Sequence, residues 1–436
     1  MTESNCGTGT VAVIGAGIIG CAVAWTLTRS GRRVLLLDRA EPATAGASFG
    51  NVGHIATEQV QPLPSPHLLL HFWRELFAFG GPVDIPARRL ITLAPWLGRF
   101  AAAAFRQKDN ARYFDPLVRG AADALERLLD QVGRRDLLRR HGHYAVWLGP
   151  NSVACAAQER HQASTWEVTA TPAPPELLRA IAAAAASARP AGLRTPEPAA
   201  GLWYPGSAHV LDPAQVAGAL LTGALQKGAT LQRADVRSVT PAAKAIEIST
   251  EGGTLLVGSA VICAGVWSPP FVAPFGLRAP IEAERGYHVE LPDHPPLADA
   301  PLMYGDYRVA VTPMASRLRA SSYLEFAGLG AAPDPRKPAR LRSVLRRLGY
   351  QCDPEGPSWM GPRPTLPDYL PAIGRAPGPL DLFYAFGHQH LGLTLSAVTA
   401  ELIADLLAAR EPRFDVSAFD LRRFGSSRGS RLSSSS

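Results

Sequence analysis

Apolar positions cluster early in the chain into two continuous runs, at 11–14 and 34–37, separated by an Ala-rich stretch that stops at Gly31. Continuous rather than alternating runs read as buried parallel strands, so 11–38 predicts a β-α-β unit. The segment 41–54, EPATAGASFGNVGH, breaks this pattern. It is too poor in apolar residues for a core element, and its glycines let backbone pass close to something flat or charged. Helical periodicity takes over from 66 to 135. Leu69, Phe72, Trp73, Leu76 and Phe77 form an apolar stripe there, expected to face a core or a dimer partner. HYAVWLG at 143–149 reads as a strand, and an Ala-rich helix is expected near 176–188. Asp212-Pro213 opens a further helix that Gly228 closes, with Asp as the cap and Pro in the first turn. Short alternating strands fill 229–263, more strands fill 284–326, and a basic helix covers 335–348. The block 358–408 holds Gly/Pro-rich turns, the strand LFYAF and a helix expected to open after Gly392. That helix carries Leu395, Val398, Leu402 and Leu406 on one face. The tail SSRGSRLSSSS is low-complexity and predicted to be disordered.

The joint between the first strand and helix carries chemistry. It reads Gly15-Ala16-Gly17-Ile18-Ile19-Gly20, and Asp38-Arg39 closes the second strand. Gly15 permits the tight turn, Gly17 lets backbone approach a pyrophosphate, and Gly20 lets helix and strand pack closely. The helix N-terminus offers free N–H groups to phosphates. Asp38 stands at the spacing of an acid that accepts hydrogen bonds from ribose hydroxyls. These residues predict an adenine dinucleotide site, and NAD, NADP and FAD all remain open. Elements of the nucleotide-binding kind recur near 205–268 and at the end of the chain. A single dehydrogenase-type domain would not need to return three times.

Composition narrows the classes. The net charge of +7 comes from 44 basic and 37 acidic residues spread along the chain, and 47% of residues are hydrophobic. No Lys/Arg run alternates with aromatics, so nucleic acid is not an expected partner. No uncharged apolar run reaches the length of a membrane span. The five cysteines (Cys6, Cys21, Cys155, Cys263 and Cys352) form no CxxC or metal-type spacing. No metal site is expected, and the odd, low count suits a reducing compartment. With no leader ahead of the first strand, the expected location is cytoplasmic, with peripheral association at the inner membrane face left open.

Two later segments extend the picture. In SAVICAGVWSPP an apolar strand runs into Ala264-Gly265 and Trp267-Ser268, which lets backbone pack against a cofactor. In the segment 360–407, Arg363 sits between Pro362 and Pro364, and the turn Gly387-His388-Gln389-His390-Leu391-Gly392 precedes the last helix. A helix opening there aims its positive end at whatever the turn touches. Arginine's planar fork is also the natural clamp for an amino-acid carboxylate.

Taken in order, GAGIIG with Asp38, GASFGNVGHI (46–55), the Asp212-Pro213 helix start, CAGVWS (263–268), and GPRPTLPDYLPAIG with GHQHLGLT (361–394) resemble the D-amino acid oxidase/dehydrogenase family of FAD-dependent oxidoreductases. That family includes glycine oxidase, sarcosine oxidase and bacterial D-amino acid dehydrogenase. The ending is most similar to the bacterial branch that oxidises cis-4-hydroxy-D-proline and related D-imino acids. The resemblance implies an α/β fold: a Rossmann-like FAD-binding domain of the glutathione-reductase type, interleaved with a substrate domain built on a mostly antiparallel sheet. The FAD-binding parts would be 1–65, 205–283 and 358–424. The substrate-domain parts would be 66–204 and 284–357, with 425–436 as the tail.

The resemblance also implies roles. Gly15, Gly17, Ile18, Ile19, Gly20, Asp38 and Arg39 would hold the adenosine diphosphate half of FAD. Ser48, Gly50 and Asn51 would run under the flavin. Gly265, Trp267, Gly387, Gly392, Leu393 and Thr394 would complete the cofactor site. Arg363 would bind the substrate carboxylate, with His388, His390 and Tyr287 as further catalytic candidates. Residues His288, Tyr304, Tyr307 and Tyr323 are additional pocket candidates. Relatives with a covalent histidyl-flavin carry His where this chain has Asn51, so non-covalent FAD is expected, with His54 three positions on. The implied reaction is hydride transfer from the Cα of a D-amino or D-imino acid to flavin N5, with O₂, a quinone or a carrier protein taking the electrons. The alternatives are an FAD subunit of a heteromeric sarcosine/glycine-type oxidase, a flavin domain for a modified nucleobase, and NAD-dependent dehydrogenation.

Overall fold

In the computed structural model, residues 4–5, 9–41, 46–190, 198–292 and 294–426 are described. The predicted disordered tail therefore lies largely outside the described residues. Its first members, Gly425 and Ser426, lie within them, and Ser426 bridges Leu277.

The two early apolar runs form strands Thr10–Ile14 and Arg33–Asp38, flanking the helix Ile18–Arg29. They sit side by side in a six-stranded sheet. Its strand order is Thr230–Arg233, Arg33–Asp38, Thr10–Ile14, Ser259–Ile262, Asp381–Phe386 and Ala372–Arg375. The first five strands run parallel and the last is antiparallel. Thr10–Ile14 is buried along its whole length, and the other inner strands are buried apart from their ends, as continuous apolar runs require. One face is covered by Ile18–Arg29, Pro213–Gln226 and Ser396–Leu407. The other face packs on a layer of short strands at 236–257. The three recurring nucleotide-type segments thus meet in one sheet because each supplies strands that cannot bury both faces alone.

The second large sheet is mixed and mostly antiparallel. Its order is Ser358–Thr365, Glu282–Pro292, Arg317–Glu325, Val309–Pro313, Leu302–Tyr304, His143–Leu148, Ala199–Tyr204 and Thr171–Pro172. The pair Leu302–Tyr304 and His143–Leu148 is parallel. A third, three-stranded sheet joins His54–Ile55, Ala208–Val210 and Leu138–Arg139.

Most predicted elements appear where the pattern puts them. Asp212 caps Pro213–Gln226 by accepting from Ala214 N at 2.9 Å. Two expectations are corrected. The last helix begins at Ser396, because 389–391 form a separate 3₁₀ turn. The 69–77 stripe is not one buried face. The helix Pro66–Glu75 has no fully buried residue, and Trp73 is 55% exposed, while Phe77 packs edge-on against Tyr323.

Candidate functional site

A cavity of about 1130 Å³ runs from the Gly15 turn to Arg363 and is larger than most single-ligand pockets. At one end stands the glycine turn. A Cβ on Gly15 would meet Cys263 O at 2.5 Å, and one on Gly20 would overlap Gly15 O, so only glycine permits this packing. Gly17 faces the cavity with only Ser48 Oγ nearby, at 3.3 Å from an added Cβ. The helix after it has no side-chain cap, and Ile18 N donates to Ser48 Oγ. Asp38 accepts from Ala16 N at 2.6 Å and Ala40 N at 2.9 Å, and keeps lone pairs toward the cavity. Arg39 stacks over the Trp267 ring at 4.3 Å, and both line this end. The turn after Ser259–Ile262 starts at Gly265, whose φ of +56° favours glycine.

The loop 46–55 lies along the wall. Gly50 abuts the Trp359 indole so closely that a Cβ would overlap it, and its carbonyl accepts from His288 Nδ1 at 2.9 Å. Asn51 Oδ1 accepts from Gly53 N at 2.7 Å, and its carbonyl accepts from Arg319 Nη1 at 2.6 Å. Arg319 is itself buried and held by Glu290 at 2.6 Å. Trp359 and Arg319 were not singled out in the sequence. They act through contacts some 270 to 310 positions away, and no local pattern marks them.

At the far end Arg363 crosses the backbone of Gly286, where a Cβ would stand under 3.0 Å from Nη2, Cζ and Nε. Its Nη1 donates to Glu284 Oε1 at 3.1 Å and to Tyr323 O at 3.2 Å. Glu284 is wholly buried and also accepts from Tyr369 Oη at 2.7 Å and Thr365 Oγ1 at 3.3 Å. Tyr323 holds φ at +73°, a strained value worth about 1–3 kcal/mol that turns its carbonyl to the arginine. One nitrogen is therefore pinned twice, while Nε and Nη2 have no partner among the described residues. That free edge is the side-on face a carboxylate takes bidentately.

His390 lies nearby, with Nε2 bonded to Gln59 Oε1 at 2.6 Å. Burial pushes its imidazole down to about 4, so it is neutral at neutral pH, with a lone pair on Nδ1.

The other expected residues make contacts of their own. Tyr287 lines the cavity, and its hydroxyl donates to Glu325 Oε2 at 2.7 Å and accepts from Asp334 N at 3.0 Å. His388 bonds Thr399 Oγ1 through Nε2 at 2.9 Å and braces the last helix. Gly20, Gly387 and Thr394 do not line the cavity, whereas Gly392 and Leu393 do. Gly387 turns at φ +78° against Leu366, and the Thr394 hydroxyl accepts from Ala56 N at 3.2 Å. Tyr304 pairs with Tyr350 at 2.8 Å, away from the cavity, and Tyr307 also lies off it. Although no metal site was expected, His54, Glu58 and His143 converge on the same cavity.

The parallel sheet, the uncapped helix after a glycine turn and the arginine-ended cavity define a dinucleotide-binding oxidoreductase. The family model described as "FAD dependent oxidoreductase" matches residues 10–406, and the chain belongs to this family. A D-amino-acid oxidase of Bradyrhizobium diazoefficiens is 30% identical, covering 95% of this chain and 98% of the relative. A D-amino acid dehydrogenase of Cereibacter sphaeroides is 28% identical, covering 95% of each. Among solved structures, glycine oxidase from Geobacillus kaustophilus superposes with a TM-score of 0.70 at 21% identity, covering 95% of this chain and 99% of that one. The cofactor is FAD, and the glycine cradle at Gly15, Gly17 and Gly20 fits its pyrophosphate.

Proposed function

We propose that the chain oxidises a D-amino or D-imino acid at Cα, with cis-4-hydroxy-D-proline the first substrate to try. The observation that carries this reading is the half-pinned Arg363. A carboxylate laid on its free edge is fixed in two directions, and Cα is then fixed with it. FAD, when bound, supplies the two-electron acceptor. Gly17 and the first turn of Ile18–Arg29 would hold its phosphates, Asp38 its ribose, and the 48–51 loop and Gly265–Trp267 its flanks. Asn51 stands where relatives with a covalent histidyl-flavin carry His, so FAD would be held without a covalent bond. Arg363 orients the substrate, and neutral His390 adds no competing positive charge beside the substrate amine. No side-chain base is required when the amine itself is neutral. The D-amino-acid oxidase and dehydrogenase names of the full-length relatives support this reading.

A dye-reduction screen over D-amino acids, cis-4-hydroxy-D-proline, D-proline, sarcosine and glycine identifies the substrate. Arg363→Ala is expected to lower kcat/KM by an amount equivalent to about 2–5 kcal/mol while bound FAD is retained. Arg363→Lys, which keeps a charge beside Glu284, separates lost recognition from lost folding. Unchanged kinetics in both variants remove Arg363 from the site and overturn the proposal.

A further inference from the structure

Three side chains from two distant segments meet in the cavity wall with a gap between them. His54 Nε2 lies 3.8 Å from Glu58 Oε2, and His143 Nδ1 lies 3.7 Å from the same oxygen. All three donor atoms fall within 4.8 Å of one another. These spacings are too long for hydrogen bonds. They leave room between the three donors for a central atom to be shared. Both imidazole nitrogens are buried and have no hydrogen-bond partner. An orphaned buried nitrogen is costly, and two aimed at one point call for an occupant.

The surroundings hold the donors in place. Ser207 Oγ donates to Glu58 Oε2 at 2.6 Å and Thr57 Oγ1 lies 3.3 Å from Ser207 Oγ, so the carboxylate is oriented from behind. The His143 ring stacks on Tyr204 at 4.7 Å and 5°, and the Tyr204 hydroxyl is anchored on Glu159. The other acidic cluster, Asp84, Glu325 and Asp334, differs in kind, because Lys337 Nζ already occupies its centre.

We infer that His54, Glu58 and His143 form a binding site for one divalent transition-metal ion of the zinc or cobalt type. Two imidazoles and one carboxylate are the donor set such ions prefer over calcium or magnesium. With three protein ligands, a position is left open toward the cavity that also holds Arg363, as in metal sites that bind an exogenous ligand. The inference does not depend on which substrate is oxidised.

The test uses untagged, FAD-loaded protein stripped with a chelator, dialysed, and titrated with Zn²⁺ by calorimetry, with metal content measured by mass spectrometry. One equivalent per chain is expected. His143→Ala and Glu58→Gln should each weaken binding about 100-fold, and Ser207→Ala about tenfold. His67 and His71, whose ring centres lie 4.4 Å apart on the helix Pro66–Glu75, are the rival pair, and His71→Ala should leave the affinity unchanged. Should a cavity variant fail to fold, Co²⁺ added to the wild-type chain gives a second readout. Ligand-field bands to the red of the flavin absorption are expected. No stoichiometric Zn²⁺ binding, binding lost in His71→Ala, binding unchanged in the cavity variants, or no Co²⁺ bands overturns the inference.

Discussion

Gly286→Ala isolates the positioning of Arg363 from its charge. The added Cβ would stand under 3.0 Å from three guanidinium atoms, where ordinary contact begins at 3.4 Å. The backbone of Gly286 is not in the left-handed region, so alanine itself is tolerated by the strand. The strand is held on both sides by Arg317–Glu325 and Ser358–Thr365, so the guanidinium moves rather than the backbone. Relief needs a shift of roughly 1 Å, and displacements of that size cost about 100-fold in rate when they misplace a reacting group. That loss corresponds to about 2.7 kcal/mol of transition-state stabilisation. Steady-state kinetics with dye reduction should show kcat/KM down about 100-fold, while flavin absorbance and thermal midpoint stay near wild type. Wild-type kinetics would refute the claim that the arginine's place over Gly286 sets substrate geometry. Loss of flavin would show that the strand, not the arginine, had moved.

Other perturbations probe the frame. Gly20→Ala drives a methyl into Gly15 O, so the helix must leave the strand; the expected product is flavin-free or insoluble protein, read from visible absorbance. Lys337→Met leaves Asp84, Asp334 and Glu325 facing one another without the buried cation and should cost about 3–5 kcal/mol in urea unfolding. The buried His388 predicts an acid-labile fold. Burial lowers its imidazole from 6.5 to about 3, so below 6.5 the unfolded chain takes up a proton that the fold refuses. This one group therefore removes up to about 1.4 kcal/mol of stability per unit as pH falls from about 6.5 to 3, and His388→Gln should reduce the acid slope by that share, leaving the shares of other buried histidines such as His288 and His390.

The chain by itself determined the nucleotide end of this protein. Gly15, Gly17, Gly20 and Asp38 act within one β-α-β unit, where spacing along the sequence is spacing in space. The Asp212-Pro213 cap and the buried apolar strands were legible for the same reason: helix caps and period-2 or period-3.6 patterns are local. The D-amino acid oxidase-type order of motifs carried the family. Tertiary structure decided the rest. Arg363 was legible as a candidate, but its pinning by Glu284 and the strained Tyr323 depends on register across three strands. Tyr287 and His388 were legible as candidates, but their hydrogen bonds to Glu325 and Thr399 come from segments that no local pattern links to them. His54, Glu58 and His143 share no motif. His54 and Glu58 lie four residues apart, but His143 opens an interior strand of the mixed sheet and reaches them only through packing, which leaves no period for a sequence to display.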